Sequence, residues 1–235
     1  MLSIVWRWGV VVAAMEGVRQ LSGLSIAHAG AWTHERDAGY SSLDMQRESS
    51  EFGSAWRSES YLEFGATDRL TVVTKAETLQ RDQDGGEDRL AGLVAVRREF
   101  VQVEGLVLSG QLGTLFGESL EGPVCEGVGV ESRVMAGWSG ATGGRNVWLN
   151  AETGFRNQGG CGRWKTDLAA GLDLNDDWRT QAKAYWQSGD GPRSLKVEAG
   201  IARRMGEQFI GVSYRREIGG AFEEEGWILS LSRSF

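Results

Sequence analysis

The chain has 235 residues, among them 34 Gly, 10 Trp and only 2 Pro, and a formal net charge of -7. That length fits one large all-β domain, and an acidic balance without a basic run or stripe argues against a nucleic-acid partner. A mean hydropathy of -0.30, with no uncharged apolar stretch of about 18 residues, excludes a helical membrane bundle but not a β-barrel, whose inner side is polar.

Residues 1–29 have the character of an export leader. Arg7 precedes the apolar run Gly9–Met15, and the stretch ends in Ala27-His28-Ala29, a small-x-small cleavage pattern. Cleavage after Ala29 starts the mature chain at Gly30 and leaves 30–235 as the barrel domain. Glu16, Arg19 and Gln20 interrupt the leader, and a translation start at Met15 is the alternative.

From Arg36 onward, short segments of alternating polarity are separated by turn residues. The weaker ones are 36–48, 52–66, 69–80, 88–98, 100–112, 127–138 and 207–217. The clearest are Val147–Arg156, Trp164–Leu174, Trp178–Gln187 and Leu195–Ala202. In Trp164–Leu174, for instance, Lys165, Asp167 and Asp173 fall on one face and Trp164, Leu168, Leu172 and Leu174 on the other. A helical period of 3.6 would scatter those charges around the axis, so the segments are strands. With 226–235 they predict an antiparallel transmembrane barrel of about twelve strands, eleven if 36–48 is discounted.

The connections are expected to alternate between long loops outside and short turns inside, with the C-terminus inside. The outside loops are 218–225, 189–192, 157–162, 113–126, 81–87 and about 49–51. The inside turns are 204–206, 175–177, 139–145, a tight one near Glu99, and Thr67-Asp68.

The last segment, Gly226–Phe235, puts Trp227, Leu229, Leu231 and Phe235 on one face and Ser230, Ser232 and Ser234 on the other. It resembles the terminal strand of bacterial outer-membrane barrels, where a final Phe belongs to the signal read by the barrel-assembly machinery; the resemblance gives Phe235 that role. The run Tyr61 to Val72, with its Thr67-Asp68 turn, and the Ala31-Trp32-Thr33 start are similar to small, largely uncharacterised proteobacterial outer-membrane proteins. The resemblance implies an outer-membrane location and, for some such proteins, an association with exopolysaccharide production. Leu168, Leu172, Val197, Ile201, Val212 and Leu229 are then expected to face lipid. Trp138, Trp164, Trp178, Trp186 and Trp227 would form the interfacial girdles.

The opposite register turns charge inward. The lumen-lining candidates are Glu63, Lys75, Glu77, Glu131, Arg133, Trp148, Asn150, Glu152, Arg156, Lys165, Asp167, Arg179, Lys183, Tyr185, Lys196, Glu198 and Arg215; Arg57, Glu59, Glu104, Asp173 and Glu217 share that face. Acids and bases nearly balance, so they can either pair into a polar plug or edge a water-filled passage. Trp148, Tyr185 and Tyr61 beside Asn150, Gln181 and Gln187 could present a surface to a polar solute or polysaccharide.

Three functions follow: a passive conduit for small polar solutes or glycan chains, a filled adhesion or exopolysaccharide-assembly barrel, or a soluble exported β-sandwich. An enzyme is not expected, since beyond residue 29 the only histidine is His34, outside every clear strand, which leaves a Ser–His pair without a base. No cofactor is called for, and Cys125 and Cys161 lack metal-ligand spacing. Both cysteines fall in outside loops, where an oxidising compartment permits a disulfide.

Overall fold

The computed structural model describes residues 30–51, 53–82, 88–120 and 125–235. The leader segment therefore lies outside the described residues. The rest is a closed antiparallel barrel of 12 strands, each paired with its sequence neighbour. In order they are β1 (Gly39–Ser50), β2 (Gly53–Thr67), β3 (Leu70–Arg81), β4 (Arg89–Val103), β5 (Leu106–Gly117) and β6 (Gly129–Thr142). The second half comprises β7 (Arg145–Gln158), β8 (Cys161–Asp173), β9 (Trp178–Gly189), β10 (Ser194–Met205), β11 (Gln208–Gly220) and β12 (Glu225–Ser234). Closure comes from β1 pairing with β12, from Tyr40 opposite Ser234 to Ser49 opposite Glu225. A closed sheet satisfies every strand's backbone groups internally and leaves no edge, which is what a hydrocarbon environment demands.

The expected strand at 36–48 exists and is essential, because it is the strand that closes the ring. Outward positions are apolar along most strands. Leu168 in β8, Val197 and Ile201 in β10, Val212 in β11 and Leu229 in β12 are all exposed. Trp56, Trp164, Trp186 and Trp227 stand toward the end where the loops are long, and Trp138 and Trp178 toward the other. This exposed apolar wall would be a liability in water and suits an aromatic-rimmed band in lipid.

Two turns depart from expectation. The chain does not reverse near Glu99; β4 runs on to Val103 and turns at Glu104 and Gly105, whose φ values are 46° and 83°. Two successive positive φ values are the signature of a tight hairpin turn whose twist matches the strands. Glu104 is therefore exposed at a turn tip and does not face the lumen. At Glu99 the ladder instead shifts by one residue, Glu99 pairing with Ser109 and Val101 with Leu108. That bulge leaves both Phe100 and Val101 exposed and blurs the alternation. The turn expected at 139–145 is also shorter, with β6 ending at Thr142 and β7 starting at Arg145. Every connection at the C-terminal end is then short, and the longer ones gather at the opposite end.

Candidate functional site

The barrel interior divides lengthwise. On the β2–β7 side it is filled. Val73, Leu93, Ala95 and Leu115 turn inward and pack together with Tyr61 against them. Above them, toward the long-loop end, Leu120 drops onto Ala55, Leu79 and Ala91. Below them, toward the short-turn end, Ala31 and Trp32 pack on Val107 and Met135.

Leu120 arrives there because the β5–β6 connection folds back into the mouth. Cys125 and Cys161 are disulfide-bonded, with Cα atoms 6.0 Å apart. Gln158 donates from Nε2 to the carbonyls of Gly117 at 3.1 Å and Gly127 at 3.0 Å. Arg163 donates to Ser119 Oγ at 3.3 Å and to the Asp190 carbonyl at 3.1 Å, tying the two neighbouring loops together.

Ala31 and Trp32 belong to a strap, residues 30–36, that enters the barrel ahead of β1. Its hydrogen bonds are regularly spaced. The Ala31 N–H donates to Asn150 Oδ1 at 2.9 Å, and Arg97 donates to the Trp32 carbonyl at 3.0 Å. Thr33 Oγ1 donates to Glu99 at 3.2 Å, and the His34 N–H donates to Thr71 Oγ1 at 2.9 Å. The wall is cut to receive it: a methyl at Gly137 would lie 2.7 Å from the Trp32 ring, and one at Gly65 would collide with the Glu35 carbonyl.

Ion pairs lock the filled side. Glu63, wholly buried, accepts His34 Nε2 at 2.6 Å, Arg97 at 2.6 Å and the Tyr61 hydroxyl. Glu131 is held by Arg133 at 2.7 Å and Arg156 at 2.6 Å. Arg133 continues to Glu152 at 3.0 Å and Asp167 at 3.1 Å, the latter two at the boundary with the open side.

The β7–β1 side is open. A cavity of about 630 Å³ extends along it and reaches across to Arg57, Glu59, Lys75, Glu77 and Arg97 on β2–β4, with lining residues from Gln187, Ser194 and Lys196 near the long-loop rim to Glu207, Arg233 and Ser234 at the short-turn rim. Its volume lies within the about 300–1,000 Å³ of ordinary ligand sites. The wall is small and polar at Ser42, Ser213, Ser230 and Ser232, the inward faces of β1, β11 and β12. Its charges are compensated. Glu198 takes Arg215 at 2.7 Å and Lys183 at 3.3 Å, Lys75 holds Glu59 at 2.9 Å and Glu77 at 3.3 Å, and Arg179 holds Asp173 at 2.7 Å. At the outer rim Lys196 takes Glu224 at 2.7 Å, drawing the β11–β12 loop over the opening.

Among the inward-facing candidates, Lys75, Glu77, Arg133, Trp148, Asn150, Glu152, Lys165, Asp167, Arg179, Lys183, Tyr185, Lys196, Glu198 and Arg215 line this cavity. Glu63, Glu131 and Arg156 turn inward but belong to the filled side and do not border it. Trp148 is 6% exposed and lies flat where a side chain at Gly171 would be, so it serves chiefly as wall. The aromatic rings that offer charge beside them are Tyr185, with Arg215 at 4.7 Å, and Phe209, with Arg179 at 4.5 Å and Arg204 at 5.1 Å.

Sequence reasoning missed Tyr40, Asp44 and Arg97. The first two sit in β1, whose outward face carries Ser41 and Arg47 and so hides the alternation. Arg97 follows a run that is apolar on both faces, because the inner side of β4 there packs on other protein. The strap has no strand pattern to announce it. Among the described residues no group of His, Cys, Asp and Glu is placed to hold a metal ion.

A closed antiparallel barrel of 12 strands with an apolar outer band and a charged interior defines the class: the fold of bacterial outer-membrane barrels. No protein-family model matches the chain, and no curated protein matches it in sequence. Solved structures do match in fold. The KdgM porin superposes with a TM-score of 0.57 at 8% identity, covering 83% of this chain and 99% of that one. The NanC porin gives 0.59 at 11% identity, covering 81% and 98%. The COG4313 outer membrane channel from Pseudomonas putida F1 gives 0.57 at 9% identity, covering 89% and 100%. At such identities the likeness is one of fold.

Proposed function

We propose that this chain is an outer-membrane conduit that passes small polar solutes or short glycan chains by diffusion. The observation that carries the reading is the polar cavity along β7–β1, whose lining reaches from near one rim to the other. The short-turn end then faces the periplasm and the long-loop end the outside. A leader at 1–29, cut after Ala29, and recognition of Phe235 by the barrel-assembly machinery belong to the same reading, as does a proteobacterial source. The KdgM porin has also been solved in complex with disordered oligogalacturonate. In this chain the paired charges favour solutes recognised by hydroxyls over a strongly anionic chain, because an ion that binds must compete with partners already in place.

Single-channel recording in planar bilayers tests this. Discrete conductance steps, together with liposome swelling in small sugars that falls off with sugar size, are expected. Silence at all voltages with intact folding would instead support the second reading, a filled adhesion or exopolysaccharide-assembly barrel. The filled β2–β7 half is the observation that favours that alternative.

A further inference from the structure

The carboxylates that line the cavity are not alike. All but one hold a lysine or arginine within 3.7 Å. Among the described residues the exception is Asp44, near the middle of β1, which has neither an ion pair nor a hydrogen bond. Glu198, within electrostatic reach of it, is the opposite case. It accepts Arg215 at 2.7 Å, the Ser213 hydroxyl at 3.0 Å, the Tyr185 hydroxyl at 3.1 Å and Lys183 at 3.3 Å. Lys183 and Arg215 also lie within electrostatic reach of Asp44. With Glu59 held by Lys75 at 2.9 Å, those two cations balance Glu198 and Asp44. What Asp44 lacks is therefore a donor, not a countercharge. Its two oxygens can accept two neighbouring hydroxyls, and hydrogen bonds to an ionised acceptor are about twice as strong as neutral ones. Ser230 stands opposite Asp44 on β12, and Ser42 precedes it on the same inward face of β1. Both line the cavity with hydroxyls that donate and accept.

We propose that Asp44 is the solute-binding residue of the passage, taking neighbouring hydroxyls of an uncharged sugar on its carboxylate while Ser42 and Ser230 bond the next ones. The inference rests on the conduit reading and narrows its solute class. A sugar reaches Asp44 without displacing a protein partner. A solute carrying a carboxylate or an ammonium meets charges that are already balanced.

The folded protein in planar bilayers is titrated with sucrose, and separately with a polyethylene glycol dimethyl ether of matching size, which fills space but donates no hydrogen bond. Sucrose should reduce the current saturably, and the ether only in proportion to its concentration. Asp44→Asn keeps the shape of the side chain and removes its charge. Because Asp44 has no ion-pair partner to leave behind, the variant should fold and conduct as before. Its half-blocking sucrose concentration should rise about five- to tenfold, the difference between a charged and a neutral acceptor. Calcium chloride should give no block that depends on Asp44; if it does, the residue is a cation site and the inference falls. It falls equally, with the conduit left standing, if sucrose and the ether act alike or if both proteins are blocked alike. Isothermal titration of sucrose into the detergent-solubilised barrels separates the two readings when no current is seen. Silent channels with Asp44-dependent binding would remove the conduit and keep the site; silent channels without binding would remove both.

Discussion

Glu63 shows how much one inward carboxylate can hold together. It receives His34, Arg97 and Tyr61, and through them connects the strap to β2 and β4. Arg97 is 2% exposed and also reaches Gln111 at 3.2 Å and the Trp32 carbonyl. Removing one member of such a set leaves the others charged and dry, which costs far more than the intact pair contributes. Arg97→Met should therefore destabilise the barrel by about 3–5 kcal/mol, read from reversible denaturant unfolding in lipid vesicles. Changing Arg47, whose partner Asp82 stands in solvent, should barely register. The alternation of β2 turned Glu63 and Tyr61 inward, but the partners of Glu63 on other segments were not legible. His34 lies outside any alternating segment, so its sequence neighbours say nothing about the carboxylate 29 positions away that it meets.

At the scale of elements, the strands were legible and the two inward segments were not. A strand announces itself because water and lipid sort its side chains with period two. Failures came where something other than lipid or water met a face. In β4 an apolar interior cluster made both sides alike, and the bulge after Glu99 imitated a turn. The strap and the β5–β6 loop are placed by single contacts distant in sequence, a kind of information that periodicity does not carry. Both segments occupy the interior, so both should limit flow. Deleting residues 30–36 should raise single-channel conductance, because the space beneath Val107 and Met135 would fill with water. Replacing both Cys125 and Cys161 by Ser frees the tether over Leu120. Conductance should then become noisier. With a sequence separation of 36 between the cysteines, chain-entropy arguments put the loss of stability at up to about 4 kcal/mol. Unchanged current noise with the disulfide absent would show that Gln158 and Arg163 alone hold the loop.

For the whole molecule the decisive question is which solvent touches the outer wall. Leu168 makes a clean probe. It stands near the middle of β8 with its side chain outward, opposite Ala151 and Ala184, and is 51% exposed. On the adjacent strand Gln181 points the other way and lines the cavity. If hydrocarbon wets the outer face, Leu168→Arg must bring a guanidinium to mid-bilayer and should cost about 2–4 kcal/mol. Gln181→Arg places the same group among water, Asp173 and Asp167 and should cost little. Folding free energies of the two variants, measured by denaturant titration in phosphatidylcholine vesicles, compare one charge on two sides of one wall. The alternation that defines the fold requires the difference to be large and of this sign. Equal costs would mean that water bathes both faces, and a membrane location, with the transport it permits, would fall.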